Sequence, residues 1–116
     1  PDNAWVGISV CNMSGFGDIQ SLNDVHCKHR WVSFEPLLDF TPPDLRGIDW
    51  VVIGAQTNPT VLPKRVWIDE IIDSCVSLGI PYWLKNSLKP LLLPERADEK
   101  AKLRQELPEG IKSREV

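Results

Sequence analysis

Four short apolar runs, each carrying a tryptophan, constrain this chain more than any other feature: WVGISV (Trp5–Val10), WVSFE (Trp31–Glu35), WVVIGA (Trp50–Ala55) and PYWLK (Pro81–Lys85). They are rich in β-branched and aromatic residues, have the length of strands, and lack the polar alternation of a sheet with one wet face. Between the third and fourth, Ile68, Ile71, Ile72 and Cys75 recur at i, i+3, i+4 and i+7, which predicts a helix over Arg65–Leu78 with Gly79 as its C′ residue. Asp18 is read as the N-cap of a shorter helix running through Ile19, Leu22 and Val25. The segment FTPPDLRG after the second run is too proline-rich for a long helix and predicts only a turn or a short 3₁₀ piece. Strands alternating with crossover segments imply an α/β fold with a parallel sheet covered on both faces. No linker divides the chain, so residues 1–92 are read as one parallel-sheet unit of a single domain. Residues 93–116, with the charged run PERADEKAKLRQELPEG, are read as a helix or arm of the same domain.

Side chains alternate faces along a strand. One set is then Trp5, Gly7, Ser9 and Cys11; Trp31, Ser33 and Glu35; Trp50, Val52, Gly54 and Gln56; Trp83 and Lys85. The opposite set is Val6, Ile8, Val10, Val32, Phe34, Val51 and Ile53, suited to packing under helices, which leaves the tryptophan face to point inward. Parallel α/β folds bind ligands beyond the carboxyl ends of their strands. Ser9, Glu35, Gln56 and Lys85 are therefore expected to meet at one mouth, with Pro36 turning the chain away after Glu35. An ion pair between Glu35 and Lys85 that only neutralises two charges is the competing reading.

Composition narrows the function classes. A chain of 116 residues, 42% hydrophobic and 25% charged, supports one ordinary domain with a real core. A net charge of −3 gives no basic footprint for nucleic acid. No apolar run approaches the roughly 18 residues of a membrane span. Three cysteines, odd in number and without CxxC spacing, lead to an expected reducing, cytoplasmic setting. The chain starts at Pro1 rather than Met and is read as a trimmed or excised piece.

The remaining motifs are weaker. His26, Cys27 and His29 in HCKH hold zinc-ligand types, yet adjacent residues rarely converge on one ion, so no metal site is assigned. Cys75 lies on the apolar helical stripe and reads as a core residue, and Cys11 has no neighbour that would activate its thiol. MSGFGD, with Gly15 and Gly17, loosely resembles a phosphate loop but lacks its third glycine and Lys-Ser/Thr, so a flexible tip loop is expected. In GAQTNP, Gln56 and Asn58 are placed to hydrogen-bond a ligand, or to form an Asx turn before Pro59.

Taken together and in order, WVGISVCN, RWVSFEPLL, IDWVVIGAQTNP and GIPYWLKNSLKPLL resemble the second half of a phage-associated, radical-SAM-like protein family of unknown function, over about residues 3–92. LRQELP, at Leu103–Pro108, is similar to the tail of archaeal-type members. GAQTNP puts Gln56 where many members carry a glutamate, whereas the FEP carboxylate is retained as Glu35. The resemblance implies a (β/α) barrel whose amino-terminal half brings three cysteines for a 4Fe-4S cluster. This sequence has no CxxxCxxC, so no cofactor is assigned to the chain itself; S-adenosylmethionine and the cluster are expected only in a full-length protein. Two explanations follow, the carboxyl half of a longer protein or a member that has lost the cluster; four βα units in 116 residues are about half of the roughly 250 residues of a closed barrel and favour the first, so the resemblance makes residues 1–92 a four-stranded half (β/α) barrel, TIM-barrel-like.

The leading expectation is a carboxyl-terminal half-barrel that supplies a wall facing substrate or S-adenosylmethionine through Ser9, Glu35, Gln56, Asn58 and Lys85, without being catalytic alone. The other is a non-catalytic module that self-associates or docks with another chain. The expected partners are the missing amino-terminal half or a second copy, with a small ligand and with neither nucleic acid nor membrane. Two exposed sheet edges are expected to promote that association.

Overall fold

The structure, a computed structural model, describes residues 5–11, 16–39, 44–93 and 103–108. Its elements are β1 (Trp5–Ser9), α1 (Phe16–Leu22), β2 (His29–Phe34), β3 (Trp50–Ile53), α2 (Arg65–Leu78), β4 (Tyr82–Leu84), a 3₁₀ turn (Asn86–Leu88) and α3 (Lys89–Leu92). The four strands form one sheet in the order β1-β2-β3-β4, and every neighbouring pair is parallel. The α/β reading with a parallel sheet is the observed architecture.

The register aligns Gly7 with Trp31 and Trp31 with Trp50, then Ser9 with Ser33, Ser33 with Val52 and Val52 with Trp83. Both sets of side chains behave as the pleat requires. Val32, Phe34, Val51 and Ile53 are buried in one core with Ile19 and Leu22 of α1 and Ile68, Ile71 and Cys75 of α2. Trp50, Val52 and Ser33 are also buried, but on the other face, outside that cluster. At Gly7 a Cβ would fall inside the indole of Trp31, so the missing side chain on β1 is what lets Trp31 lie flat across it. Trp31 and Trp50 pack tilted at 46° with ring centroids 5.8 Å apart.

α2 spans the residues its periodicity predicts, Arg65–Leu78. It closes in a Schellman motif: Ile80 N–H donates to Cys75 O at 2.8 Å, Gly79 N–H donates to Val76 O at 3.3 Å, and Gly79 adopts φ 70°. The buried Ile80 lies close to Cys75 at this cap.

α1 differs from expectation. It begins at Phe16, so Asp18 is not its N-cap but sits in the first turn, where its charge suits the helix dipole. It ends at Leu22, leaving Val25 outside and exposed. The physical reason is Arg30, whose guanidinium donates to Leu22 O at 3.1 Å and Val25 O at 2.6 Å, taking the carbonyls that another helical turn would have used.

The strands end one or two residues sooner than predicted, although β2 begins two residues earlier, at His29. β2 stops at Phe34, β3 at Ile53 and β4 at Leu84, although ladder-type bonds continue, with Gly54 N–H to Phe34 O at 3.0 Å and Lys85 N–H to Ile53 O at 2.9 Å. The described part of the proline-rich segment, Asp44–Gly47, forms a turn, and Leu37, Leu45 and Ile48 fill the core where a crossover helix would lie. Half of MSGFGD, expected to be a flexible tip loop, is instead the first turn of α1, over residues 16–18; its residues 13–15 lie outside the described residues, as do residues 94–102 and 109–116 of the carboxyl end.

Of the helix or arm expected at the carboxyl end, residues 103–108 form an extended arm. Gln105 bridges antiparallel to Trp83, with Leu84 N–H donating to Arg104 O and Glu106 N–H to Tyr82 O, both at 3.0 Å. The indole N–H of Trp50 donates to Glu106 O at 2.9 Å, and the guanidinium of Arg104 lies 5.1 Å from the Tyr82 ring centroid. The outer edge of β4 is thus covered by the chain's own arm. Of the two edges expected to be exposed, only that of β1 lacks a partner strand among the described residues. Among the described residues no helix is long and apolar enough to cross a membrane.

Candidate functional site at the strand carboxyl ends

One step beyond the last paired row of the sheet, three neighbouring strand ends deliver Glu35, Gly54 and Lys85 side by side. The carboxylate Oε2 of Glu35 lies 2.8 Å from the ammonium of Lys85. Gly54 makes this reach feasible: a Cβ there would stand 3.0 Å from Glu35 Oε2 and 3.2 Å from its Cδ. Two parallel strands separated by a third therefore meet through a carboxylate laid across a glycine.

The pair lines a cleft of about 400 Å³ with Ala55, Thr57, Trp83, Asn86, Ser87 and Gln105. Side chains of Glu35 and Lys85 retain 32% and 44% of their accessibility, so the attraction is partly screened and is worth no more than ~1 kcal/mol as an ion pair. A ligand entering here competes with a weak bond. The walls are braced from below: Ala55 N–H donates to Ser87 Oγ at 3.0 Å, and Gln105 Nε2 donates to Leu84 O at 2.8 Å and to Asn86 Oδ1 at 3.1 Å.

The five residues singled out in the sequence have different placements. Glu35 and Lys85 meet. Ser9 is exposed at the end of the edge strand β1, on a depression with Val6, Ile8 and Asp18. Gln56 turns back on its own loop, its amide donating to Pro59 O at 3.3 Å and its backbone pairing with Val61. Asn58 is exposed in the following turn with φ 55°, a left-handed conformation that asparagine tolerates. None of these three lines the cleft of Glu35 and Lys85. Asn86 and Ser87 were within reach of sequence reasoning, since they directly follow Lys85. Gln105 was not, because nothing local shows that residues 103–108 return to β4.

The cysteines are dispersed. Cys11 donates weakly to Glu35 O with sulfur 3.8 Å away, and Cys27 to His29 O at 3.4 Å. Cys75 is buried in the helix-side core; burial and, secondarily, the charge of Glu106 push its thiol up to about 12. His29 stacks on Trp5 with centroids 4.0 Å apart rather than joining Cys27 and His26 around an ion. Among the described residues no group of three or more metal-ligating side chains converges. These cysteines do not fit an iron–sulfur cluster.

A family described as "Protein of unknown function (DUF5131)" matches residues 1–104, most of the chain. No curated protein matches it, and no solved structure does.

Proposed function

The chain belongs to the DUF5131 family of proteins of unknown function, and we propose that it forms the carboxyl-terminal half of a (β/α) barrel of the radical-SAM type, whose strand-end cleft is a ligand-facing wall. Two features support the barrel. The parallel strands run in sequential order, whereas a doubly wound sheet reverses its order, and α1 and α2 both pack into the core on one face of the sheet, as helices do in a barrel. Further strands would then add at β1, with the arm finishing the sheet beside β4.

The observation that carries the functional reading is the pairing of Glu35 with Lys85 in a polar cleft at the carboxyl end of the sheet. Glu35 accepts hydrogen bonds from ligand hydroxyl or amine groups, Lys85 balances acidic ones, and Asn86 and Gln105 orient the ligand. The described cysteines leave a 4Fe-4S cluster and S-adenosylmethionine to an upstream half, and a cytoplasmic setting suits such a cluster. Expression of the chain together with whatever is encoded ahead of it tests this. Iron–sulfur absorbance and adenosylmethionine cleavage are expected; absence of both overturns the enzyme half of the reading.

A second reading, a non-catalytic module that docks with a second copy or another chain, is favoured by the outer edge of β1, which has no partner strand among the described residues, and by exposed Val66, Val76 and Leu78 of α2. Sedimentation separates the two: a monodisperse monomer at high concentration counts against the module as a self-associating one.

A further inference from the structure

We infer that the cleft accepts a small zwitterion, an ammonium and a carboxylate on neighbouring atoms, and that Gln105 of the 103–108 arm helps to position it. The inference rests on the ligand-facing reading above and adds the chemical class.

Glu35 and Lys85 face each other at 2.8 Å and sum to zero charge. An anion alone would satisfy Lys85 but sit against the Glu35 carboxylate, and a cation alone would do the reverse. A neutral ligand would separate the pair and give neither charge a charged partner. Only a zwitterion replaces the one ion pair by two, with its ammonium on Glu35 and its carboxylate on Lys85.

The polar groups around the pair sort in the same way. Gln105 spends both amide hydrogens, on Leu84 O and Asn86 Oδ1, which fixes its orientation and leaves Oε1 as its remaining acceptor. Asn86, having accepted through Oδ1, keeps its amide hydrogens as donors. The lining of the cleft thus holds, besides the charged pair, one further acceptor and one further donor group. Trp83, in the same lining, supplies an aromatic surface suited to an ammonium or to the apolar remainder of the ligand. A cleft of about 400 Å³ accommodates a molecule the size of an amino acid or a somewhat larger conjugate.

The test is a titration of the ¹⁵N-labelled chain at neutral pH with L-leucine and its two halves, isocaproate and isoamylamine. Saturable shifts at the Trp83 indole, Asn86 and Gln105 are expected, with leucine binding ~10-fold or more tighter than either half. Gln105→Leu, checked for a dispersed spectrum, is expected to weaken leucine severalfold while leaving isocaproate unchanged. If isoamylamine binds as tightly as leucine and is lost on Glu35→Gln, or isocaproate does and is lost on Lys85→Gln, the zwitterion inference fails while the ligand-facing wall stands. If none of the three shifts the cleft, the inference fails outright. Unchanged leucine affinity in the Gln105→Leu variant overturns the role of the arm.

Discussion

The carboxylate of Glu35 lies across the Cα of Gly54, and a methyl group on that Cα would stand 3.0 Å from Glu35 Oε2. The obstruction falls on a movable side chain, and the backbone itself places no demand for glycine there. Gly54→Ala is therefore expected to lower stability by only ~1 kcal/mol while pushing Glu35 away from Lys85. A crystal structure of the variant that keeps the 2.8 Å contact would contradict this account of the glycine.

At Gly7 the obstruction is of another kind, because the added atom falls inside the indole of Trp31, which is held between β1 and Trp50. Gly7→Ala is expected to cost roughly 1–3 kcal/mol by overpacking. Urea unfolding reads the loss directly. The penalty should shrink when Trp31 is also replaced by leucine, and an equal penalty in both backgrounds would separate Gly7 from Trp31.

The indole of Trp50 ties the arm to the tryptophan face, donating from Nε1 to Glu106 O. Trp50→Phe keeps most of the apolar area and removes the donor, at an expected cost of about 1 kcal/mol. Limited proteolysis is expected to cut the variant near residues 103–108 sooner than the wild type. Equal cleavage rates would mean that the backbone bridge at Gln105 and the buried Leu103 hold the arm unaided.

Cys75 gives a prediction in pH. Its folded thiol is pushed up to about 12, above the ordinary 9.0, first by burial and then by Glu106. The folded state binds this proton more tightly than the unfolded state. That contribution is complete below pH 9.0 and is lost as pH rises from there toward about 12. Urea midpoints across this alkaline range should fall more steeply for the wild type than for Cys75→Ala, and parallel curves would contradict the assignment. Under native conditions near neutrality, Ellman's reagent is expected to reach Cys11 and Cys27, both half-buried, before Cys75.

What the sequence disclosed follows the range of the interactions involved. The α2 stripe and its Gly79 stop were legible because helix periodicity and the left-handed cap are set within a few residues. The parallel sheet was legible in its apolar strands, and the meeting of Glu35 with Lys85 in the strict alternation along each of them. The end of α1 was not, because it is decided by Arg30 reaching back from β2. Gln56 and Asn58 followed local turn chemistry rather than the pleat, since the strand had already ended at Ile53. The contribution of Gln105 depends on a contact between positions 83 and 105, which no pattern along the chain reveals.

The proposed ligand-facing end of the sheet is its carboxyl end, at Glu35 and Lys85. The opposite end offers a rival, a cavity of about 460 Å³ lined by Trp5, His29, Asp49 and Pro81 among others. A screen of small polar fragments against the ¹⁵N-labelled chain decides between the two. Shifts gathered on Ala55, Trp83, Lys85, Asn86 and Gln105, and abolished by Glu35→Gln, are the predicted result. Shifts gathered on Trp5, His29 and Asp49, or shifts at the predicted cleft that persist unchanged in Glu35→Gln, would contradict it.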